Sequence, residues 1–453
     1  MRYLIGIDIG TSSVKGILMS EDGIDRKTAR EEFHYDYPKK GWVEITAESY
    51  LDTCFRLIRK LAEQLPENSE IIGISEASAS GNLLLLDSEN KPLTPIFNWQ
   101  DERVSDEAKR VLDIDFDREG YYNITGWPLG DTFPLAQLCR IKYHEPELLE
   151  RAKKVCMSTE YLNFMLTGKW GVGTSAGTPF YLIDQQKGVY YKPVLDTLGI
   201  DKDKLPPVMK TGTTVGTVTK KAAELTLLAE GTPVVLGTFD HPSAARGSGV
   251  FDEGQMLLSC GTSWVGFLPV KDRKKIIKNK LLADPFLSPD GCWGAMFSLP
   301  SVSSKLEKYI IKYISDGDGM YRELEKMAAK SSPGAGGLRI NPYEDDDEEK
   351  INKYQKCDIA RAIMESVGYL MKEKLDALSK NNITAKSAIM AGGPTENPVW
   401  VSSIEQILGI PVKVIDGAYA GAIGAASVAG IGTGIYRNEA EAFRILNGNK
   451  VNM

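Results

Sequence analysis

Histidine is nearly missing from this chain: only His34, His144 and His241 occur in 453 residues. With so few imidazoles and no HExxH, a histidine-built metal centre is not expected, and proton transfer falls to carboxylates. Cysteine is sparse as well. The six, at 54, 139, 156, 260, 292 and 357, form no CxxC pair, which suits a reducing cytosol and argues against a disulfide framework or a thiolate metal site. Positive charge is in deficit, with 54 Lys and Arg against 61 Asp and Glu and a formal net charge of −7. No overall field gathers polyanions, so nucleic-acid binding is not expected, while a local site for a phosphorylated ligand is compatible with the charge.

Several catalytic signatures are also lacking. There is no GxSxG and no Walker GxxxxGK[ST], and GVGTSAG at residues 171–177 is one residue too long for the dinucleotide GxGxxG. Long apolar runs are few. The opening MRYLIGIDIG is broken at once by Asp8, so neither a signal peptide nor a membrane anchor is expected there. Residues 417–436 carry no charge, but they are mostly Gly and Ala with no Leu or Phe. Such residues give little transfer energy, so this stretch reads as a tightly packed, buried loop and helix, and a cytoplasmic protein is expected.

What is present is a chain long enough for two or three domains at ~100 to 200 residues each, 42% hydrophobic and 25% charged. Residues 3–9 and 14–19 read as two strands joined by a turn, with Asp8 near the end of the first. Residues 47–65 form an amphipathic helical pattern, 71–74 and 83–87 strands, and 101–112 and 135–152 polar helices. Short buried strands follow at 232–237, 255–259 and 263–269, then helices at 301–315 and 357–380 and a strand at 387–391. This mingling predicts an α/β class. GTSSVKGIL at 10–18 and GTSWVGFL at 261–268 echo one another, each a Gly-Thr-Ser turn between apolar strands. The echo suggests a duplicated domain, with the division near residue 230: residues 1–230, then 231–453.

A Gly-Thr-Ser turn points backbone N–H groups and two hydroxyls at one spot, an anion cradle without a P-loop. Two of them suit a polyphosphate gripped from both sides of a central cleft. Lys15 adds positive charge, and Asp8 is placed to hold Mg²⁺ through water. The plainer alternative is two ordinary hairpin turns. In GTFDHPSAARGSG, residues 237–249, Asp240 ends a buried strand, where it suits a general base for a substrate hydroxyl or, more plainly, a helix cap. AGGPTENPVW, residues 391–400, lets a backbone approach a planar ring closely, as a base-binding segment or simply a strand-to-helix turn. Ala420, Gly421, Ala422 and Gly424 pack beside a nucleotide or beside another helix.

These residues resemble the FGGY carbohydrate kinases. The resemblance runs nearly end to end and is carried by GIDIGTSSVK at 6–15, WQDER at 99–103, ITG at 124–126, GTFDHPSAARGSG, SCGTS at 259–263, AGGPTENPVW and AGAIGAA at 420–426. Xylulose kinases look closest within it, mainly through Trp-x-Asp-x-Arg. The resemblance implies two ribonuclease-H-like (actin-like ATPase) domains around a cleft, the first on the sugar side and the second on the nucleotide side. It implies ATP- and Mg²⁺-dependent phosphorylation of a sugar hydroxyl, most simply that of a ketopentose such as xylulose, with a small-molecule sugar as partner and a homodimer left open.

Carried over residue by residue, Asp240 matches the catalytic base, Asp8 the Mg²⁺-associated carboxylate, and Gly10, Thr11, Ser12, Lys15, Gly261 and Thr262 the phosphate-binding turns. Gly392, Gly393 and Asn397 match the adenosine side. Trp99, Asp101, Arg103 and Ser80 border the sugar pocket, with Asp101 alternatively a capping acid that supports the first domain. Two segments depart from the xylulose pattern. Residues 76–81, EASASG, replace a Met-His pair with small residues, and residues 337–349 lack the usual Gly-Glu-Arg-x-Pro and carry an acid run at 344–349, read as a solvated loop. Another ketose, a polyol or a sugar acid is therefore the alternative substrate. A non-catalytic sugar-binding regulator on the same fold is the rival from a different class.

Overall fold

The computed structural model describes residues 1–104, 117–130, 132–286 and 291–448. Its principal strands are β1 (Arg2–Ile9), β2 (Ser13–Ser20), β3 (Arg26–Glu32), β4 (Glu70–Ser78), β5 (Thr214–Thr217), β6 (Pro233–Phe239), β7 (Gln255–Cys260), β8 (Trp264–Val270), β9 (Trp293–Leu299), β10 (Ser387–Gly392) and β11 (Val412–Val414). The helices used below are α1 (Ala47–Ala62), α2 (Ser158–Thr167), α3 (Asp240–Ser248), α4 (Val302–Tyr313), α5 (Lys356–Ser379), α6 (Pro398–Leu408), α7 (Ala420–Gly432) and α8 (Glu439–Asn447). The chain packs as two compact units. The first comprises Met1–Gly249, Leu282–Gly294 and Tyr419–Met453, and the second Val250–Leu281 and Ala295–Ala418.

In the first unit the sheet order is β5-β6-β4-β1-β2-β3. β1 is buried along nearly its whole length, because each face of the sheet is covered. Tyr3, Ile5, Ile7 and Ile9 join Leu57, Ile58 and Leu61 of α1 in one core cluster, while Leu4 joins Ala422, Ala426 and Ala429 of α7 in another. The period of two along the strand makes this division. Gly6 lies on the α7 side, where a Cβ would sit 1.9 Å from the Ala422 carbonyl oxygen.

The second unit is built on the strand order β9-β8-β7-β10-β11. β7 pairs antiparallel with β8 and parallel with β10, as β1 pairs antiparallel with β2 and parallel with β4. The sequence echo thus has a structural counterpart. α5 packs on α6 where Gly368 leaves room for Ile404 and Ile407.

Packing differs from the division expected at residue 230. β6 lies between β4 and β5, so residues 231–249 go with the first unit, and α7 and α8 return to it from the far end of the chain. The expected helix over 135–152 is two helices, Pro134–His144 and Pro146–Arg151. Glu145 between them has φ −140° and ψ 50°, outside the helical region that a following proline disfavours. Most of the expected helix at 101–112 lies outside the described residues, and 101–104 are not helical. The uncharged stretch 417–436 forms the buried helix α7. Among the described residues no helix is long and apolar enough to cross a membrane.

Candidate active site

Parallel strands bring their C-terminal ends to one edge of a sheet, and that edge is where an α/β sheet presents its chemistry. In the first unit Ile9 of β1 and Phe239 of β6 both stand opposite Ser78 of β4. The chain leaves these strands at Gly10, Ala79 and Asp240. Four expected site residues therefore arrive together from distant parts of the sequence: Asp8, Gly10, Ser80 and Asp240. Lys15 joins them from β2, opposite Asp8 in the register.

Asp8 and Asp240 are close enough to act on one another electrostatically. Burial pushes the Asp8 carboxyl up to about 7, the negative charge of Asp240 pushes in the same direction, and Lys15 pulls against both. Asp240 opens α3, whose cap position is held by Phe239 without a side-chain bond. The Asp240 Oδ1 accepts from the next backbone N–H, that of His241, at 2.6 Å. It does not reach the second or third N–H of the helix as a capping side chain does, which leaves its other oxygen for different work.

Gly421 of α7 approaches Asp8 so closely that a Cβ there would lie 2.4 Å from Asp8 Oδ2. Magnesium takes few carboxylates and keeps several waters. A single crowded carboxylate, raised by a second beside it, fits that ion. No group of three or more His, Cys, Asp or Glu able to hold a metal occurs among the described residues.

The first Gly-Thr-Ser turn is closed by the Gly10 N–H donating to the Ser13 carbonyl at 3.0 Å. Trp99 ties into it, its Nε1–H donating to Thr11 Oγ1 at 3.1 Å, while Ser12 is exposed. The rest of the WQDER segment turns inward. Asp101 is wholly buried. Its Oδ1 accepts from the Arg103 N–H (3.0 Å), Arg103 Nε (2.7 Å) and Gln137 Nε2 (3.2 Å), and its Oδ2 from the Val43 N–H (2.7 Å) and an Arg103 terminal nitrogen (2.7 Å). Arg103 also pairs with Glu44 at 2.5 Å and lies over the Trp42 ring at 3.9 Å. Both Asp101 oxygens are filled, and Arg103 commits its Nε and one terminal nitrogen to Asp101 and Glu44. Their geometry favours the supporting role, holding the loop that carries Trp99.

Ser80 is buried, with φ 42°. Its backbone N–H and its hydroxyl both turn back to Ser78. At Gly81, with φ 72°, a Cβ would meet the Phe133 ring at 2.7 Å. An aromatic ring thus packs against the end of the 76–81 segment. Glu76 points into the interior, where its Oε1 accepts from Asn163 Nδ2 (3.0 Å) and the Gly237 N–H (3.1 Å), and burial raises it to about 7.

In the second unit Cys260 stands opposite Gly392 in the parallel register, so the turn at Gly261–Thr262 and the pair Gly392–Gly393 share one sheet edge. Gly261 and Thr262 are exposed. Gly392 has φ 115°, and a Cβ on it would lie 2.2 Å from the Cys260 carbonyl oxygen, whereas Gly393 faces open space. Asn397 caps α6, its Oδ1 accepting from the Trp400 N–H at 3.0 Å. The start of α4 is bound to the turn: Ser301 N–H donates to Ser263 Oγ (2.9 Å), Ser303 N–H to the Thr262 carbonyl (3.1 Å) and Ser303 Oγ to the Gly261 carbonyl (2.7 Å).

Two motifs take structural parts. In AGAIGAA, Gly424 meets the Ser243 backbone so closely that a Cβ would lie 1.9 Å from its carbonyl oxygen, so α7 packs against α3 and β1. In ITG, the Gly126 carbonyl accepts from the Ala283 N–H at 2.8 Å. The acid run answers to ionic contacts: Asp346 pairs with Lys312 at 2.6 Å and Asp347 caps a short helix. Sequence reasoning missed Ser175 and Asp284, both wholly buried and hydrogen-bonded at 2.7 Å behind Asp240. Ser175 lies in the GVGTSAG segment set aside as a dinucleotide fingerprint, no motif marks Asp284, and 109 residues separate the two.

Comparison with known proteins places this geometry. Residues 3–247 match the N-terminal domain model of the FGGY family of carbohydrate kinases, and residues 256–433 the C-terminal one. A xylulose kinase of Lactococcus lactis is 27% identical over 96% of this chain and 89% of its own length. The L-xylulose/3-keto-L-gulonate kinase of Escherichia coli is also 27% identical, over 98% of this chain and 91% of its own. The crystal structure of a xylulose kinase from Rhodospirillum rubrum superposes with a TM-score of 0.87 at 24% identity, covering 98% of this chain and 92% of that one. The fold is the two-domain, actin-like ATPase fold.

Proposed function

This chain belongs to the FGGY family of carbohydrate kinases, and from that premise we propose that it transfers the γ-phosphoryl group of ATP to a ketopentose such as xylulose, with Asp240 as general base. The observation that carries the proposal is the meeting of Asp240 and Asp8 at one sheet edge, close enough for the charge of Asp240 to raise Asp8.

The roles follow from the chemistry of phosphoryl transfer, which depends mainly on positioning and charge neutralisation. Asp240 accepts the proton of the attacking hydroxyl, for which its free carboxylate oxygen is available. Asp8 and Lys15 set the charge beside it, with Asp8 holding Mg²⁺, which when bound offsets the charge of the phosphate oxygens. The N–H groups and hydroxyls of Gly10, Thr11 and Ser12, and those of Gly261 and Thr262, are assigned to phosphate binding. Gly392, Gly393 and Asn397 serve the adenosine, and Gly393 has open space where a Cβ would be. Trp99 is the sugar-side contact, held in place by the Asp101–Arg103 pair, with Ser80 shaping the neighbouring wall. The reaction is assigned to the cytosol.

The ketopentose rests on the names of the relatives, and the test is an ADP-release screen over ketopentoses, ketohexoses, polyols and sugar acids. Xylulose is expected to give the highest kcat/KM. A sugar acid in first place would transfer the assignment to the alternative that the EASASG segment and the 3-keto-L-gulonate kinase suggest. No turnover with any of them, in a protein that binds sugar, would favour the regulator.

A further inference from the structure

Asp240 is placed by its predecessor. The Phe239 N–H donates to Ser175 Oγ at 3.1 Å, and the Ser175 hydroxyl in turn donates to Asp284 Oδ2 at 2.7 Å. A serine oxygen that accepts from Phe239 must send its proton elsewhere, and Asp284 fixes where. The Asp284 Oδ1 accepts from the Phe286 N–H at 2.8 Å.

The anchors behind these atoms are themselves held. The Ser175 N–H donates to Thr211 Oγ1 at 3.1 Å. Ala283, next to Asp284, donates its N–H to the Gly126 carbonyl at 2.8 Å and accepts through its own carbonyl from Trp127 Nε1 (3.0 Å) and Gln185 Nε2 (2.7 Å). The Trp127 ring also meets the Phe239 ring edge-on at 5.2 Å. A carboxylate in this dry setting is costly unless its hydrogen bonds are complete. Arg246 offsets part of the charge, its guanidinium stacked 3.9 Å over Phe286.

We propose that Ser175 and Asp284 are positioning residues for the catalytic base, fixing the strand end from which Asp240 projects. The proposal rests on the reading of Asp240 as base. Both residues are wholly buried. Their effect passes through the Phe239 backbone, where a displacement near 1 Å is enough to cost about 10²-fold in rate. The ITG motif gains a purpose in the same arrangement, since Gly126 secures the segment that carries Asp284.

Steady-state kinetics separates the two claims. Asp240→Asn should lose at least about 10²-fold in kcat, and near-normal turnover there removes the base reading itself. With that loss established, Ser175→Ala is expected to lower kcat about ten- to a hundredfold while both KM values change less than about twofold. Ser175→Thr, which keeps the hydroxyl, should recover most of the rate. In the Asp240→Asn background Ser175→Ala should have no further effect. A folded Ser175→Ala protein with full kcat, or one whose loss persists undiminished in the double variant, overturns the positioning role. If Ser175→Ala does not fold, Asp284→Asn decides, because one carbonyl oxygen then faces two donors, and full kcat in that variant overturns the proposal equally.

Discussion

Asp101 shows how one residue's neighbours settle what its type leaves open. Both its oxygens are filled by Arg103, Val43 and Gln137, so Asp101→Ala leaves the buried Arg103 guanidinium without its main counter-charge. Removing one partner of a buried pair costs about 3–5 kcal/mol. Glu44 remains to Arg103, which points to the lower part of that range. The expected outcome is a lower denaturant midpoint with sugar and ATP KM rising together, measured by urea unfolding beside steady-state kinetics. A rise in the sugar KM alone, at unchanged stability, would show that Asp101 contacts the sugar. Asp240 differs because it keeps a free oxygen at the edge of the sheet. Both are aspartates in matched motifs, and their separate parts follow from hydrogen bonds that no sequence pattern records.

At the scale of elements, glycine has two opposite uses here. In α7, Gly424 exists because backbone meets backbone: a Cβ would lie 1.9 Å from the Ser243 carbonyl oxygen and 2.6 Å from its carbonyl carbon, atoms that cannot swing aside as a side chain does. Gly424→Ala should therefore destabilise by about 1–3 kcal/mol or more, as overpacking does, and calorimetric melting reads this directly. Gly261 is the reverse. The nearest atom to a Cβ there is the Ser263 carbonyl oxygen at 3.6 Å, an ordinary contact. Gly261→Val should leave the melting temperature nearly unchanged and weaken ATP binding about tenfold in titration calorimetry, because the crowding falls on the ligand. Full-strength binding would remove this turn from the phosphate site.

For the whole molecule, three buried acids and the partly buried Asp8 set the response to pH. Burial is the first cause in each: Asp8 and Glu76 are raised to about 7, Glu160 to about 8 and Asp284 to about 6. Each holds its proton more tightly in the folded state than in the unfolded one. Where the folded state binds more protons, stability falls as pH rises, so the loss runs from the unfolded values near 4 up to about 8. The expected result is a higher urea midpoint at pH 5.5 than at pH 8.5, with Glu160→Gln flattening the slope. Equal midpoints in the wild-type protein would mean that these groups ionise without penalty, against their burial.

Much of this protein was legible in its sequence. The hairpin strands, their Gly-Thr-Ser turns, Asp8 near one strand end and Asp240 at another follow from local rules, since a two-residue period and a turn need only near neighbours. The echo of 10–18 in 261–268 foretold two sheets of like pairing. Tertiary structure decided what depends on contacts between distant segments. It put β6 and α7 with the first unit, because a strand belongs to the sheet that bonds it and an alanine-rich helix to the glycine that admits it. It turned Asp101 and Arg103 on each other, and it brought Ser175 and Asp284 behind Asp240. A buried carboxylate and the serine that needs it carry no periodicity. Only the fold, by closing the distance between them, gives either one a partner.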